Sequence, residues 1–213
     1  MVRVTGFVLV LLFLLVSYSN ATTVKQALKK VENFYKNIHT LKAKFVQKTI
    51  FPNGKVKTYY GKVWIKKPGK FLWEYEKPDH FLIISSGAKV YVYYPEEKEA
   101  FVYSAGRMFS SQVVVGFLTG KGSIQQDLKL TSFKVLKGGI WKFSFVPAKP
   151  DPQVEKIVLI VNLKTGEVKK FCVVNTTGEK VEVIFKKITY NCEIPDQAFV
   201  FVPKKGVELI NSY

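Results

Sequence analysis

Cysteine, histidine and acid are scarce in this chain, and each scarcity narrows what it can do. Its 213 residues include two cysteines, Cys172 and Cys192, and two histidines, His39 and His80. Scattered as they are, these four offer no metal-ligand spacing, so no metal site is expected. Neither a G-x-S-x-G nucleophile elbow nor a glycine-rich phosphate loop occurs, which removes the scaffolds for two common chemistries. Acidic pairs such as Glu96-Glu97 fall in turn-like stretches and read as solvated charge. No enzyme activity and no cofactor are expected.

Long hydrophobic runs are missing too. The longest, Phe7 to Val16, has ten residues, short of the roughly 18–20 that span a bilayer as a helix. It follows Arg3 and precedes Ser19-Asn20-Ala21, the order of a secretory signal peptide cleaved after Ala21. Residues 1–21 are therefore expected to direct export, leaving 22–213 as one domain. No cysteine follows Ala21 directly, so the mature chain is not expected to carry a lipid anchor of its own.

In an oxidising compartment Cys172 and Cys192 could pair or stay as two buried thiols. If Thr176-Thr177-Gly178 turns a hairpin, Cys172 sits opposite a residue near Glu182 and not beside Cys192. Both outcomes stay open on that reading.

Acid is outnumbered, with 16 Asp and Glu against 33 Lys and Arg, a formal charge of +17. Only Arg3 would leave with the leader, so the mature chain stays strongly basic. An anionic partner fits this charge; so does solubility from a lysine-rich composition. Export counts against nucleic acid, which is not expected as a partner.

What is present is mostly β. One amphipathic helix opens the mature chain, with Val24, Ala27, Leu28, Val31, Phe34 and Ile38 at three- and four-residue steps. Thr23-Val24-Lys25-Gln26 fits a capping box at its start, and the helix should end near Asn37. The period then changes to two. Eleven short β-rich runs follow, from Lys44–Ile50 to Lys180–Tyr190, punctuated by turns such as Pro52-Asn53-Gly54 and Thr177-Gly178. So many hairpins predict a large curled sheet or barrel. Between the sixth and seventh runs, Met108 to Leu118 is apolar on more than one side, and a helix here would lie across the sheet as a cover. Ser123 to Leu128 could add another helical turn.

Aromatics crowd between Tyr59 and Tyr103. Phe71, Trp73 and Tyr75 alternate with Leu72, Glu74 and Glu76, so one face of that strand is wholly aromatic. Neighbouring runs are apolar at both parities, as in Phe81 and Ile83 against Leu82 and Ile84, more than a single core face needs. A concave sheet around a ligand space would use the surplus. Parity in the cavity is not fixed beyond the Phe71–Tyr75 strand.

Several stretches resemble one family. Ala43 to Lys48 is similar to its opening strand. Gly61-Lys62-Val63-Trp64-Ile65-Lys66-Lys67-Pro68-Gly69-Lys70-Phe71-Leu72-Trp73-Glu74-Tyr75 matches its G-x-x-W-x-x-x-P-x-x-F-x-W block. Phe199 to Val207 matches its closing F-x-F-x-P-x-x-G-V pattern. The chain thus resembles the LolA family of periplasmic outer-membrane lipoprotein carriers from the signal peptide to the last strand, weakly in the middle third.

The resemblance implies a mainly β fold, an open (half) antiparallel β-barrel of about eleven strands with an N-terminal helix and a helical lid. It implies a monomeric periplasmic carrier that takes lipoproteins, held by their acyl chains, from an inner-membrane ABC transporter to an outer-membrane receptor. Ile65, Phe71, Trp73, Tyr75, Leu82 and Ile84 are the cavity residues expected. Met108, Phe109, Val113, Val114, Phe117 and Leu118 would form the lid, with Lys67 as its contact. The family commonly has arginine at that position, bonded to lid backbone, and lysine lacks arginine's planar fork of donors. Two alternatives keep the residues but change the role. One is the same fold as a binder, sensor or acceptor of other lipids; the other is a secreted polyanion-binding module.

Overall fold

The computed structural model describes residues 23–104 and 113–211. The expected signal peptide and the first part of the expected lid, with Met108 and Phe109, lie outside the described residues. Residues 23–36 form the opening helix, α1, and its apolar steps are buried at Val24, Ala27, Leu28 and Val31.

The first half of the sheet comprises β1 (Thr40–Ile50), β2 (Val56–Lys66), β3 (Lys70–Lys77), β4 (Phe81–Ser86), β5 (Lys89–Tyr94) and β6 (Glu99–Ser104). Two short helices follow, α2 (Val113–Leu118) and α3 (Ile124–Asp127). The second half comprises β7 (Leu128–Val135), β8 (Ile140–Pro147), β9 (Val154–Asn162), β10 (Glu167–Asn175) and β11 (Lys180–Tyr190). A last strand, β12 (Glu208–Asn211), closes the described chain.

All twelve strands belong to one sheet, ordered β12-β6-β5-β4-β3-β2-β1-β11-β10-β9-β8-β7. Every pairing is antiparallel except β12 on β6. β1 is the seam, bonded to β2 on one side and β11 on the other. The outermost strands, β7 and β12, do not meet, so the barrel is open. The sheet curls until its two halves face each other: the Trp73 ring on β3 stands 6.1 Å from Phe185 on β11. Phe45, Val63, Phe143, Phe145 and Leu159 are buried in the concavity beneath α1.

Gly61 shows how closely this interior is drawn. A β-carbon there would lie 2.0 Å from the Glu74 carbonyl oxygen and 2.7 Å from the Phe45 ring. The position sits at a register irregularity between β2 and β3, where a strand glycine lets a neighbour approach.

The eleven expected strands all form, with β1 beginning four residues early. The twelfth was not foreseen. Phe199 to Val207, matched to the family's closing pattern, follows a 3-10 turn (Asp196–Phe199) as irregular chain, and the strand comes after it. This segment is a strap over the convex face. Thr40 Oγ1 donates to the Cys192 carbonyl at 2.6 Å, and Lys42 and Lys66 donate to the carbonyls of Glu193 and Ile194 at 3.1 Å. Phe199 is fully buried, and Phe201 stacks near Tyr91 and Tyr93 on β5, 4.9 and 5.1 Å between ring centroids.

Both cysteines are free. Cys172 does pair with Glu182 in the β10–β11 ladder, ten residues from Cys192. At about 3.3 Å per strand residue that is roughly 30 Å, far past the ~7 Å a disulfide tolerates. The alternative of a Cys172–Cys192 bridge is thereby closed. Burial pushes the Cys172 thiol up, and it sits among strands as a small apolar side chain.

Candidate functional site

The concavity holds a cavity of about 610 Å3, within the range that admits a drug-sized or lipid ligand. β3 supplies one wall. Its inward side chains Phe71, Trp73 and Tyr75 are buried, at 2%, 5% and 7% exposure, and all three line the space. Tyr75 donates from its hydroxyl to Gln47 Oε1 at 2.9 Å and stacks on Phe81 with centroids 4.1 Å apart. Burial pushes the Tyr75 phenol up, so it stays neutral and a donor. Trp73 packs between Phe45 and Phe185. The indole N–H of Trp73 is buried without a partner among the described residues.

The opposite wall was missed in the sequence. Val154 and Ile157 on β9, Phe171 and Val173 on β10, and Val181 and Val183 on β11 complete it. Unbroken apolar runs, Ile157 to Val161 on β9 and Phe171 to Val174 on β10, blur their alternation, and nothing local says which face meets β3. The mouth is rimmed by Pro152 and Gln153 and by the β10–β11 turn, Asn175 to Thr177. None of the described residues lining this cavity is charged, in a chain with 33 Lys and Arg.

Three of the six expected cavity residues do not line it. Ile65 on β2 pairs with Phe71 and is buried beside it on the same face, but packing covers it from the cavity. Leu82 and Ile84 carry the wrong parity. Trp73 pairs with Ile83, and Ile83 faces the cavity. Leu82 and Ile84 pair across β3 with Glu74 and Leu72 on the convex face, where the 3-10 turn of the strap packs against β3 and β4. The surplus of apolar residues therefore has two causes, the cavity inside and the strap outside.

The described part of the lid sits as a cover. Val114 and Val115 of α2 line the cavity, and Phe117 and Leu118 are buried. The Phe117 ring lies 4.9 Å from Tyr35 of α1. Val113 begins α2, its side chain outside the described residues. The chain after α2 docks on two turns: Gly69 N–H donates to the Thr119 carbonyl at 3.0 Å, and Lys121 Nζ to the Gly87 carbonyl at 2.7 Å.

Lys67 takes a different carbonyl from the one expected. Its ammonium donates to the Tyr35 carbonyl in the last turn of α1, and its backbone N–H to the His39 carbonyl at 2.9 Å. A cation there complements the helix C-terminus. The lysine stem runs past Gly120, where φ is +75° and a β-carbon would lie 2.9 Å from Lys67 Cδ. Burial lowers the Lys67 ammonium's pKa. The residue thus fastens α1 and touches the chain after the lid.

A second tie joins α1 to α3. Glu32 accepts from Ser123 Oγ at 2.7 Å, from the Gln125 backbone N–H at 2.9 Å and from the Gln125 side chain. Partial burial alone would raise this carboxyl, but those hydrogen bonds outweigh it and hold it below its usual value. Among the described residues no cluster of His, Cys, Asp and Glu could hold a metal ion, and no helix is long and apolar enough to cross a membrane.

Comparison with known proteins matches residues 36–202 to the family model described as outer membrane lipoprotein carrier protein LolA. An outer-membrane lipoprotein carrier protein of Dechloromonas aromatica is 29% identical over 86% of this chain and 87% of its own length. One from Nitrosospira multiformis is 26% identical over 96% and 97%. Among solved structures, an uncharacterized conserved protein from Thermus thermophilus superposes with a TM-score of 0.56 at 12% identity, over 89% of this chain and 99% of that one. A DUF1329 family protein from Desulfovibrio piger gives 0.51 at 14%, over 83% and 97%. These two structures share the fold.

Proposed function

This chain belongs to the LolA family of outer-membrane lipoprotein carrier proteins, a transport family and not one of enzymes, and on that premise we propose that its cavity holds lipoprotein acyl chains in transit. The observation that carries this is the cavity of about 610 Å3 between β3 and β9–β11, whose described lining residues are all uncharged. Burying methylene is worth about 0.8 kcal/mol per group. A sixteen-carbon chain is then held in a bilayer by roughly 13 kcal/mol, and spontaneous release of several chains is too slow to be useful. A soluble apolar cavity replaces the bilayer during the crossing. Phe71, Trp73 and Tyr75 form its aromatic wall and Val114 and Val115 its cover.

The place of work is the periplasm, reached through the leader at residues 1–21, and 22–213 act there as one domain. The donor is an inner-membrane ABC transporter and the acceptor an outer-membrane receptor. The chain acts as a monomer, Lys67 securing the helix that flanks the cover.

Release of a lipoprotein from transporter-bearing membrane vesicles tests this. The wild-type mature chain should bring the lipoprotein into the soluble fraction. Phe71→Glu, folded by circular dichroism, should leave it on the vesicles; equal release by both would remove the cavity from the mechanism.

A further inference from the structure

The cavity has a polarity axis that holding hydrocarbon does not require. Along β10 the inward residues run Phe171, Val173, Asn175, and the turn continues with Thr176 and Thr177. β1 aligns the walls: Leu41 meets Ile65, the partner of Phe71, while Thr49 meets Val181, the partner of Val173. Phe71 and the chain docked after α2 therefore mark the apolar end, and Asn175 to Thr177 the polar one. At that mouth the side-chain amides of Gln153 and Asn175 and the hydroxyl of Thr177 make no hydrogen bond within the described residues. Lysines near the mouth are turned away or already paired: Lys57, opposite Thr49 on the concave side, is bound to Asp79. Lys48 pairs with Glu182 and Lys180 with Val174, on the convex face.

Resting on the carrier reading, we propose that the mouth at Gln153, Asn175 and Thr177 recognises the uncharged ester and amide groups that join acyl chains to a lipoprotein, and rejects anionic phospholipid. Amides and a hydroxyl can donate to ester carbonyls and accept from an amide N–H. They cannot neutralise a phosphate, and an anion drawn to the edge of an apolar cavity without a cation is poorly held. The acyl chains lie with their methyl ends toward α2. Anionic phospholipid is excluded because no free cation stands among the described residues of the mouth, and not by shape.

The test is displacement of a cavity-bound fluorescent dye from the mature chain. The competitors are a dipalmitoyl-glyceryl-cysteine peptide of neutral sequence and dipalmitoyl phosphatidylglycerol, each delivered from the same neutral detergent micelles. The lipopeptide should displace the dye at about tenfold lower concentration, the weight of one or two hydrogen bonds. Asn175→Lys should narrow the gap by strengthening phosphatidylglycerol. Asn175→Leu should weaken the lipopeptide severalfold with dye affinity unchanged. Equal displacement by both lipids in the wild type, or an Asn175→Lys chain with unchanged phosphatidylglycerol affinity, overturns the selectivity and leaves the carrier reading standing. Displacement by neither lipid overturns the carrier reading as well.

Discussion

At Gly61 the room for a side chain is already occupied by backbone and by the Phe45 ring, and neither can move cheaply. Gly61→Ala should therefore cost about 1–3 kcal/mol, as overpacking does, read as a lower denaturation midpoint at unchanged slope. Lys67 makes a different kind of contribution. Lys67→Met keeps the stem against Gly120 but removes the donor to the Tyr35 carbonyl. A loss of about 1 kcal/mol follows for a cation at a partly buried helix C-terminus. Hydrogen exchange should show it first in the last turn of α1. At this scale the sequence is readable where polarity alternates. Phe71, Trp73 and Tyr75 stand out because Leu72, Glu74 and Glu76 separate them. Ile83 could not be told from Leu82 and Ile84, because apolar residues on both faces of a strand erase the period-two signal.

Among the elements, the strap and the α1–α3 tie rest on opposite physics. The strap's charges are exposed: Asp196 reaches Lys66 at 2.9 Å and Lys70 at 3.0 Å, but its side chain is 58% exposed. Such pairs contribute little, whereas Phe199 is wholly buried. Asp196→Asn should leave thermal unfolding nearly unchanged, while Phe199→Ala should cost about 3–5 kcal/mol. A large loss from Asp196→Asn would reverse that ranking. The strap was hidden in the sequence because a segment crossing strands at their backs has no period of its own. The Glu32 tie is set by charge. Its carboxyl ionises below the unperturbed 4.5 in the folded chain, so in that range the unfolded state binds more protons and stability drops as pH drops. The contribution is complete above the unfolded value and lost as pH falls through the folded one. Glu32→Gln should flatten the acid limb of melting temperature against pH below about 4.5; an unchanged limb would assign acid sensitivity elsewhere.

Across the whole molecule, the distribution of charge matters more than its sum. The formal charge is +17, yet among the described residues no charged side chain lines the cavity. Eleven of the twelve strands were legible because turn residues punctuate period-two runs. The curl that brings β3 opposite β9–β11 was not, since it depends on long-range pairing through β1. Uptake of acylated cargo should barely change with salt, because apolar burial drives it, whereas polyanion binding would weaken steeply. The most direct measurement of the central claim is native mass spectrometry of the mature chain isolated from the periplasm, wild type beside Phe71→Glu. The wild type should carry the added mass of an acylated lipoprotein, and the variant, melting as a folded chain, should carry none. Equal acylated mass on both, or none on the wild type, would contradict it.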